Sequence, residues 1–177
     1  MDELTKSAFL NRPDLHVETS GEFAGWRTWS RDNFETNNGP FYHRMEDDGR
    51  IACAFRVQKK HLNGMHNVHG GCFMAFADYC LFAMAAPVLQ GPGVTVSFAC
   101  EFLDAAREDE LVEGSGEIMR AGGSMIFLRG LLTSGDCGVC GTSPAECPPG
   151  SGRVTVSVRL SFSSMAARPC TDRSTQP

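Results

Sequence analysis

Residues 70–90 read GGCFMAFADYCLFAMAAPVLQ, beginning at Gly70 and ending at Gln90. The run is apolar on every side and carries one charge, Asp78. A helix that is hydrophobic all round is a buried helix, so the stretch predicts a central buried helix over residues 70–89. Pro87 lies near its end, and Gly91-Pro92-Gly93 stops it. A buried carboxylate needs a partner, a raised pKa or a chemical task. Two glycines at a helix start let a ligand approach backbone N–H groups where the helix dipole favours negative charge. One short segment therefore offers an oxyanion site and a buried carboxylate, the equipment of acyl chemistry.

Strand patterns flank this helix. Residues 41–45 can form a strand, and Glu46-Asp47-Asp48-Gly49 is a turn signal that predicts a hairpin. Ile51, Cys53, Phe55 and Val57 alternate with less apolar residues. After the helix, Val94, Val96, Phe98, Cys100 and Phe102 show a period of two. Strands over 111–119 and 125–133 follow, joined at Ala121-Gly122-Gly123, and the three are expected to form a meander. A long apolar helix with an antiparallel sheet has one good packing solution, in which the sheet curls around the helix. The fold class is α+β. A helix of ~20 residues spans ~30 Å, more than a lone five- or six-stranded sheet covers. At least a homodimer, or a dimer of dimers, is therefore expected.

The chain has 177 residues, enough for one domain with a substantial core. Its net charge of −5 and lack of a basic tract argue against nucleic acid or an anionic membrane as the main partner. The start, MDELTKSAFLNRPD, has no secretory n- and h-regions. The aspartate in mid-span and the late proline argue against residues 70–90 crossing a membrane. The expected location is the cytoplasm. Cys53, Cys72, Cys80 and Cys100 sit in apolar periodic segments, and all eight cysteines are read as reduced thiols.

Both ends are less regular. Residues 1–38 form an N-terminal segment in which Phe23, Trp26 and Trp29 are expected to pack on the core as a short helix or loop. The domain spans 39–162, with an irregular insertion at 134–153 rich in glycine, proline and cysteine. Val154, Val156, Val158, Leu160 and Phe162 alternate and are expected to supply an edge strand, and residues 163–177 a disordered tail. A long structureless loop before a last strand is unusual in a compact domain. One hypothesis is an altered or out-of-register terminus after about Gly135; intact mass and an unaltered reading frame would remove it.

The chemistry centres on Asn63, six residues before His69-Gly70-Gly71, and Asp78, nine after His69. This pattern resembles the hot-dog thioesterases of the phenylacetate-degradation (PaaI-like) type, which carry Asn-x5-His-Gly-Gly and an acidic residue inside the helix. The resemblance covers residues 39–134 and includes the strand start Gly93-Val94-Thr95-Val96. The sheet-around-helix arrangement is the hot-dog fold. The resemblance implies hydrolysis of an acyl-CoA thioester to a free acid and coenzyme A. It implies Asp78 as general base or nucleophile and the Gly70 N–H as the group polarising the carbonyl. Asn63 would orient the carbonyl or the water, Thr95 would help hold the water, and His69 would shape the helix entry. Gly71, Phe73, Met74 and Phe82 are candidate substrate-binding residues, and Lys59, Lys60, Arg107 and Arg120 are candidates for the coenzyme A phosphates. No cofactor is implied.

Spacing adds a constraint of its own. Gly70 and Asp78 lie ~12 Å apart along one helix, whereas a base must come within ~3 Å of the water it activates, or reach it through one water. Asp78 of one chain is therefore expected to serve the Gly70 site of its partner.

Each residue also has a plainer reading. Asp78 can hydrogen-bond a neighbouring loop, the glycines can serve packing, Asn63-Gly64 can be a turn, and Thr95 can be structural. His61, His66 and His69 fit no standard zinc spacing, and Cys137-Gly-Val-Cys140 with Cys147 lacks a second pair. Cys72 near the helix start is read as packing rather than reactive. Two rival functions remain open: a hot-dog hydratase or dehydratase, separable by a crotonyl-CoA hydration assay, and a non-catalytic acyl-CoA-binding module, which would retain its ligand unchanged.

Overall fold

The computed structural model describes residues 15–30, 33–89, 93–122 and 125–134, and the backbone of the strand at 156–164. In chain order these form β1 (Leu15–Val17), β2 (Arg27–Trp29), α1 (Asn33–Asn38), β3 (Tyr42–Met45), β4 (Ile51–Arg56), α2 (Gly70–Ala85), β5 (Gly93–Phe102), β6 (Leu111–Ala121), β7 (Met125–Ser134) and β8 (Val156–Ser164). The strands make one eight-stranded sheet in the order β1-β2-β3-β4-β6-β7-β8-β5. Every pairing is antiparallel. The α+β reading holds, with α2 packed against the sheet. Among the described residues no helix is long and apolar enough to cross a membrane.

The expected hairpin joins β3 to β4, with Met45 opposite Ile51. The expected meander of β5, β6 and β7 does not form. β6 lies between β4 and β7, while β5 is the far edge strand and pairs with β8. β8 is accordingly an interior strand and not the edge that its alternation suggested. Alternation assigns side chains to faces; it does not choose the neighbouring strand. Residues 103–110 carry the chain from the sheet's edge to its middle. They are pinned at the helix start by Ala106, which is buried and whose carbonyl accepts the Val68 N–H at 2.8 Å.

The helix ends at Ala85, earlier than residue 89, and a turn follows in which Val88 and Leu89 N–H both bond the Ala85 carbonyl. Pro87 has no N–H with which to continue the ladder. The helix also approaches the sheet closely where the sheet carries glycine. A Cβ on Gly114 would lie 2.5 Å from Cys80 Sγ, and one on Gly116 2.9 Å from Met84 Sδ.

Coverage of α2 is not complete, contrary to its all-round hydrophobicity. Phe73, Phe76, Ala77, Cys80, Leu81 and their neighbours are buried. Gly71, Met74, Ala75, Asp78 and Phe82 are not, and Met74 is 42% exposed. These positions recur at helical spacing, so a single stripe of the helix is only partly covered, along the edge strand β5, whose Thr95 reaches Asp78.

Phe23, Trp26 and Trp29 divide between the two faces of the sheet. Phe23 and Trp26 lie in the turn between β1 and β2 and cover Tyr42 and Ala54, with Phe23 stacked on Tyr42 at 4.2 Å. Trp29 belongs to β2 and packs with the main core near Tyr79. Tyr79 meets buried His43 on β3, 2.7 Å from its Nδ1, and so ties the helix to the first half of the sheet.

Candidate functional site

Asp78 lies on the partly covered stripe of α2 and is half-buried. Its Oδ1 accepts a hydrogen bond from Thr95 Oγ1 at 2.7 Å. Burial raises the carboxyl pKa above the usual aspartate value, and the Thr95 bond acts in the opposite direction.

A β-bulge explains how Thr95 reaches the helix. The register of β5 shifts between Thr95 and Ser97. Val96 is the extra residue and is 57% exposed. Phe98 and Cys100 pack on the core, and Thr95 shares their side of the strand although it is three residues from Phe98. The predicted unbroken period of two from Val94 to Phe102 therefore fails at Val96, because an inserted residue moves the alternation to the other face.

The start of α2 is arranged around His69. His69 is the N-cap, and its Nδ1 accepts the Gly71 N–H at 2.9 Å. Its carbonyl accepts from Cys72 and Phe73. Among the described residues nothing accepts the Gly70 N–H. That N–H is one of the donors a helix start leaves unsatisfied.

Packing does not require a glycine at position 70. A Cβ there would stand 3.5 Å from the Phe102 ring, an ordinary contact, and the backbone is not left-handed. Glycine in a helix costs up to ~1 kcal/mol relative to alanine. Gly71 differs, since its Cβ would come within 3.1 Å of His69 Nδ1.

Asn63 braces the loop that enters the helix. Its side-chain oxygen accepts from the Met65 and Asn67 N–H groups at 2.8 and 3.3 Å. The turn reading of Asn63 is thus satisfied by its oxygen, and the NH₂ takes no part in those bonds. His66 sits in the same turn with φ 61°. His61 is buried, accepts the Gln58 N–H at 2.9 Å, and has its pKa lowered chiefly by burial. The three histidines of this stretch thus occupy a buried packing position, a turn and a helix cap.

The candidate substrate-binding residues separate. Gly71 and Met74 are exposed, Phe82 is partly buried, and Phe73 is a core residue 2% exposed. Phe102, absent from the sequence-based candidates, stands over Gly70 and faces Phe73 at 6.4 Å. Its alternation marked it as an inward strand residue, and nothing local showed that it would end beside the helix start. Cys72 is buried and its thiol is pushed up to about 11 by burial, as packing requires. The cysteines at 137, 140 and 147 lie outside the described residues.

Lys59, Lys60 and Arg107 belong to the two loops at the start of α2. Arg120 does not join them. β6 starts beside Arg56, at the helix-start end, and Arg120 lies nine residues further along it, roughly 30 Å at strand spacing. A cavity of about 260 Å³ lined by Arg50, Ile51, Met84, Pro87 and Ile118 is also at that far end and contains none of the motif residues.

Comparison with known proteins identifies the family and the fold. A family model described as the thioesterase superfamily matches residues 65–141. The Pseudomonas aeruginosa protein named "Putative esterase PA0474" is 32% identical over 100 residues, covering 55% of this chain and 75% of that protein. Among solved structures, PaaI of E. coli, from the phenylacetic acid degradation operon, aligns with TM-score 0.59 and 14% identity over 77% of this chain and 87% of its own. A hypothetical thioesterase from Streptococcus pneumoniae TIGR4, solved with coenzyme A, aligns with TM-score 0.56 and 18% identity over 72% and 88%. A helix start with an open N–H, a carboxylate held on a partly covered helix stripe, and these matches lead to one assignment: the chain belongs to the thioesterase superfamily and has the hot-dog fold.

Proposed function

We propose that this protein hydrolyses acyl-CoA thioesters at sites shared between two copies of the chain. The observation that carries the reading is the Asp78–Thr95 pair, held at 2.7 Å on the one stripe of α2 that its own sheet covers only in part. The Streptococcus pneumoniae structure solved with coenzyme A adds support for the thiol half of the substrate.

In this mechanism the thioester carbonyl of the substrate accepts the Gly70 N–H, aided by the positive end of the helix dipole. Asp78 of the partner subunit takes a proton from water, and the water oxygen attacks the carbonyl carbon. The oxyanion that forms is held at Gly70. Its collapse breaks the carbon–sulfur bond, and the proton held by Asp78 passes to the leaving thiolate, releasing coenzyme A and the acid and restoring the carboxylate. In the alternative route the Asp78 carboxylate attacks directly, and water then hydrolyses the mixed anhydride. Thr95 holds the Asp78 carboxylate in one orientation, and the Asn63 NH₂ is a second donor near the carbonyl. His69 fixes the helix entry, and Lys59, Lys60 and Arg107 suit the phosphates of coenzyme A. Exposed Gly71 and Met74 and partly buried Phe82 suit the acyl side, with Phe73 behind them.

The sharing follows from distance: ~12 Å of helix separates Gly70 from Asp78, too far for both to serve one carbonyl within a chain. The test is a panel of aryl- and fatty-acyl-CoA thioesters, followed with a thiol-detecting dye, for the unaltered protein and Asp78→Ala. An enzyme-only control is needed because the chain has eight cysteines. Turnover that disappears in folded Asp78→Ala supports the reading; equal turnover in both proteins removes Asp78 from the mechanism.

A further inference from the structure

Phe102 closes one side of the helix start. It is the last residue of edge strand β5 and remains 46% exposed. Its Cζ, Cε1 and Cε2 atoms lie 3.5, 3.7 and 4.0 Å from the point where a Gly70 side chain would begin, so the tip of the ring points at Gly70. Cα–Cβ bonds on a helix tilt toward its N-terminus, which puts that point beside the Gly70 N–H. Phe73, almost fully buried, backs the ring from the core.

We propose that Phe102 selects the acyl group: its ring is the wall beside the thioester carbonyl, and it excludes acyl groups branched at the adjoining carbon. The inference rests on the thioester-hydrolase reading of the site. A carbonyl oxygen ~2.9 Å from the Gly70 nitrogen brings the groups on its carbon within van der Waals reach of the ring tip. A thioester has two arms. The pantetheine arm carries amides that need hydrogen-bond partners when they leave water, and a phenyl ring supplies none. The hydrocarbon arm suits it. Gly71 and Met74 are exposed within this chain, so Phe102 is the bulky side chain that this chain itself sets against Gly70.

The test compares kcat/KM for n-butyryl-CoA, isobutyryl-CoA and pivaloyl-CoA in the unaltered full chain, Phe102→Ala and Phe102→Leu. Ratios between substrates within one preparation cancel any difference in folded fraction. Phe102→Ala is expected to raise the branched-to-straight ratio about tenfold or more, the scale of a methylene-sized change in an apolar pocket, with Phe102→Leu between. An unchanged ratio with turnover intact overturns the role of Phe102. A uniform rise in KM for all three substrates places the ring on the thiol arm and also overturns it. If the unaltered protein hydrolyses none of a broad thioester panel, the reading of the site itself fails, and this inference fails with it.

Discussion

Gly70→Ala separates the needs of the fold from those of the site. The added methyl group would meet the Phe102 ring at 3.5 Å, a normal contact, and the backbone at Gly70 is open to any L-residue. Alanine also loses less backbone entropy on folding. The substitution is expected to stabilise the protein by about 0.5–1 kcal/mol. In a chain of this size that raises Tm by roughly 1–4 °C. The same methyl adjoins the N–H that is to donate to the carbonyl oxygen, so the substrate must shift by about 1 Å, the scale of misplacement that matters for catalysis. Misplacement on that scale costs on the order of 100-fold in rate. The assay pairs thermal unfolding at fixed protein concentration with kcat/KM on whichever acyl-CoA turns over best. Higher Tm with a large loss of kcat/KM is the expected result. Unchanged kcat/KM would show that no ligand approaches Gly70, and a lowered Tm would show that the fold itself needs the glycine.

Other perturbations probe the carboxylate, the shared site and the core. With Asp78 as the proposed base or nucleophile the ionised form is the active one, and burial raises its pKa, so the acidic limb of kcat/KM against pH should lie above the ordinary aspartate value. Thr95→Val removes the bond that lowers that pKa and should move the limb further up; a limb that stays in place would exclude Thr95 as the group holding Asp78. A carboxyl raised in the folded state contributes most to stability below its unfolded pKa and loses that contribution as pH rises through the folded value. Asp78→Asn should therefore raise Tm at neutral pH, with the gain vanishing in acid; no pH dependence in the Tm difference would refute this. Mixing inactive Asp78→Ala with an inactive Gly70 variant, after subunit exchange, should recover roughly a quarter of unaltered activity if each dimer site takes one residue from each chain; no recovery after verified exchange would exclude shared sites. Gly114→Ala forces a methyl to within 2.5 Å of Cys80 Sγ and should cost ~1–3 kcal/mol, partly restored by Cys80→Ala; denaturant unfolding measures both.

Much of the site was legible because it is local. The pattern from Asn63 to Asp78 fits within one loop and one helix, and the roles of His69 as cap and Asn63 as turn brace depend on neighbours two to four residues away. The Asp78–Thr95 pair was less accessible. It depends on a bulge at Val96, which alternating valines do not announce. Phe102 was hidden for a related reason: its distance to Gly70 is set by where an edge strand ends relative to a helix start 32 positions earlier in the chain.

By itself the sequence determined the elements and their chemistry. The long apolar run, flanked by segments that alternate with a period of two, reads as a helix packed against a sheet, because its apolar side chains need a second layer to remove them from water. The glycines, the histidine and the aspartate placed an open N–H and a carboxylate on that helix. Only the tertiary structure decided which strands are neighbours, which stripe of the helix stays open, and which residue closes the approach to Gly70. Periodicity specifies the face on which a side chain lies, whereas strand order and edge positions arise from contacts between distant segments that compete for the same sheet.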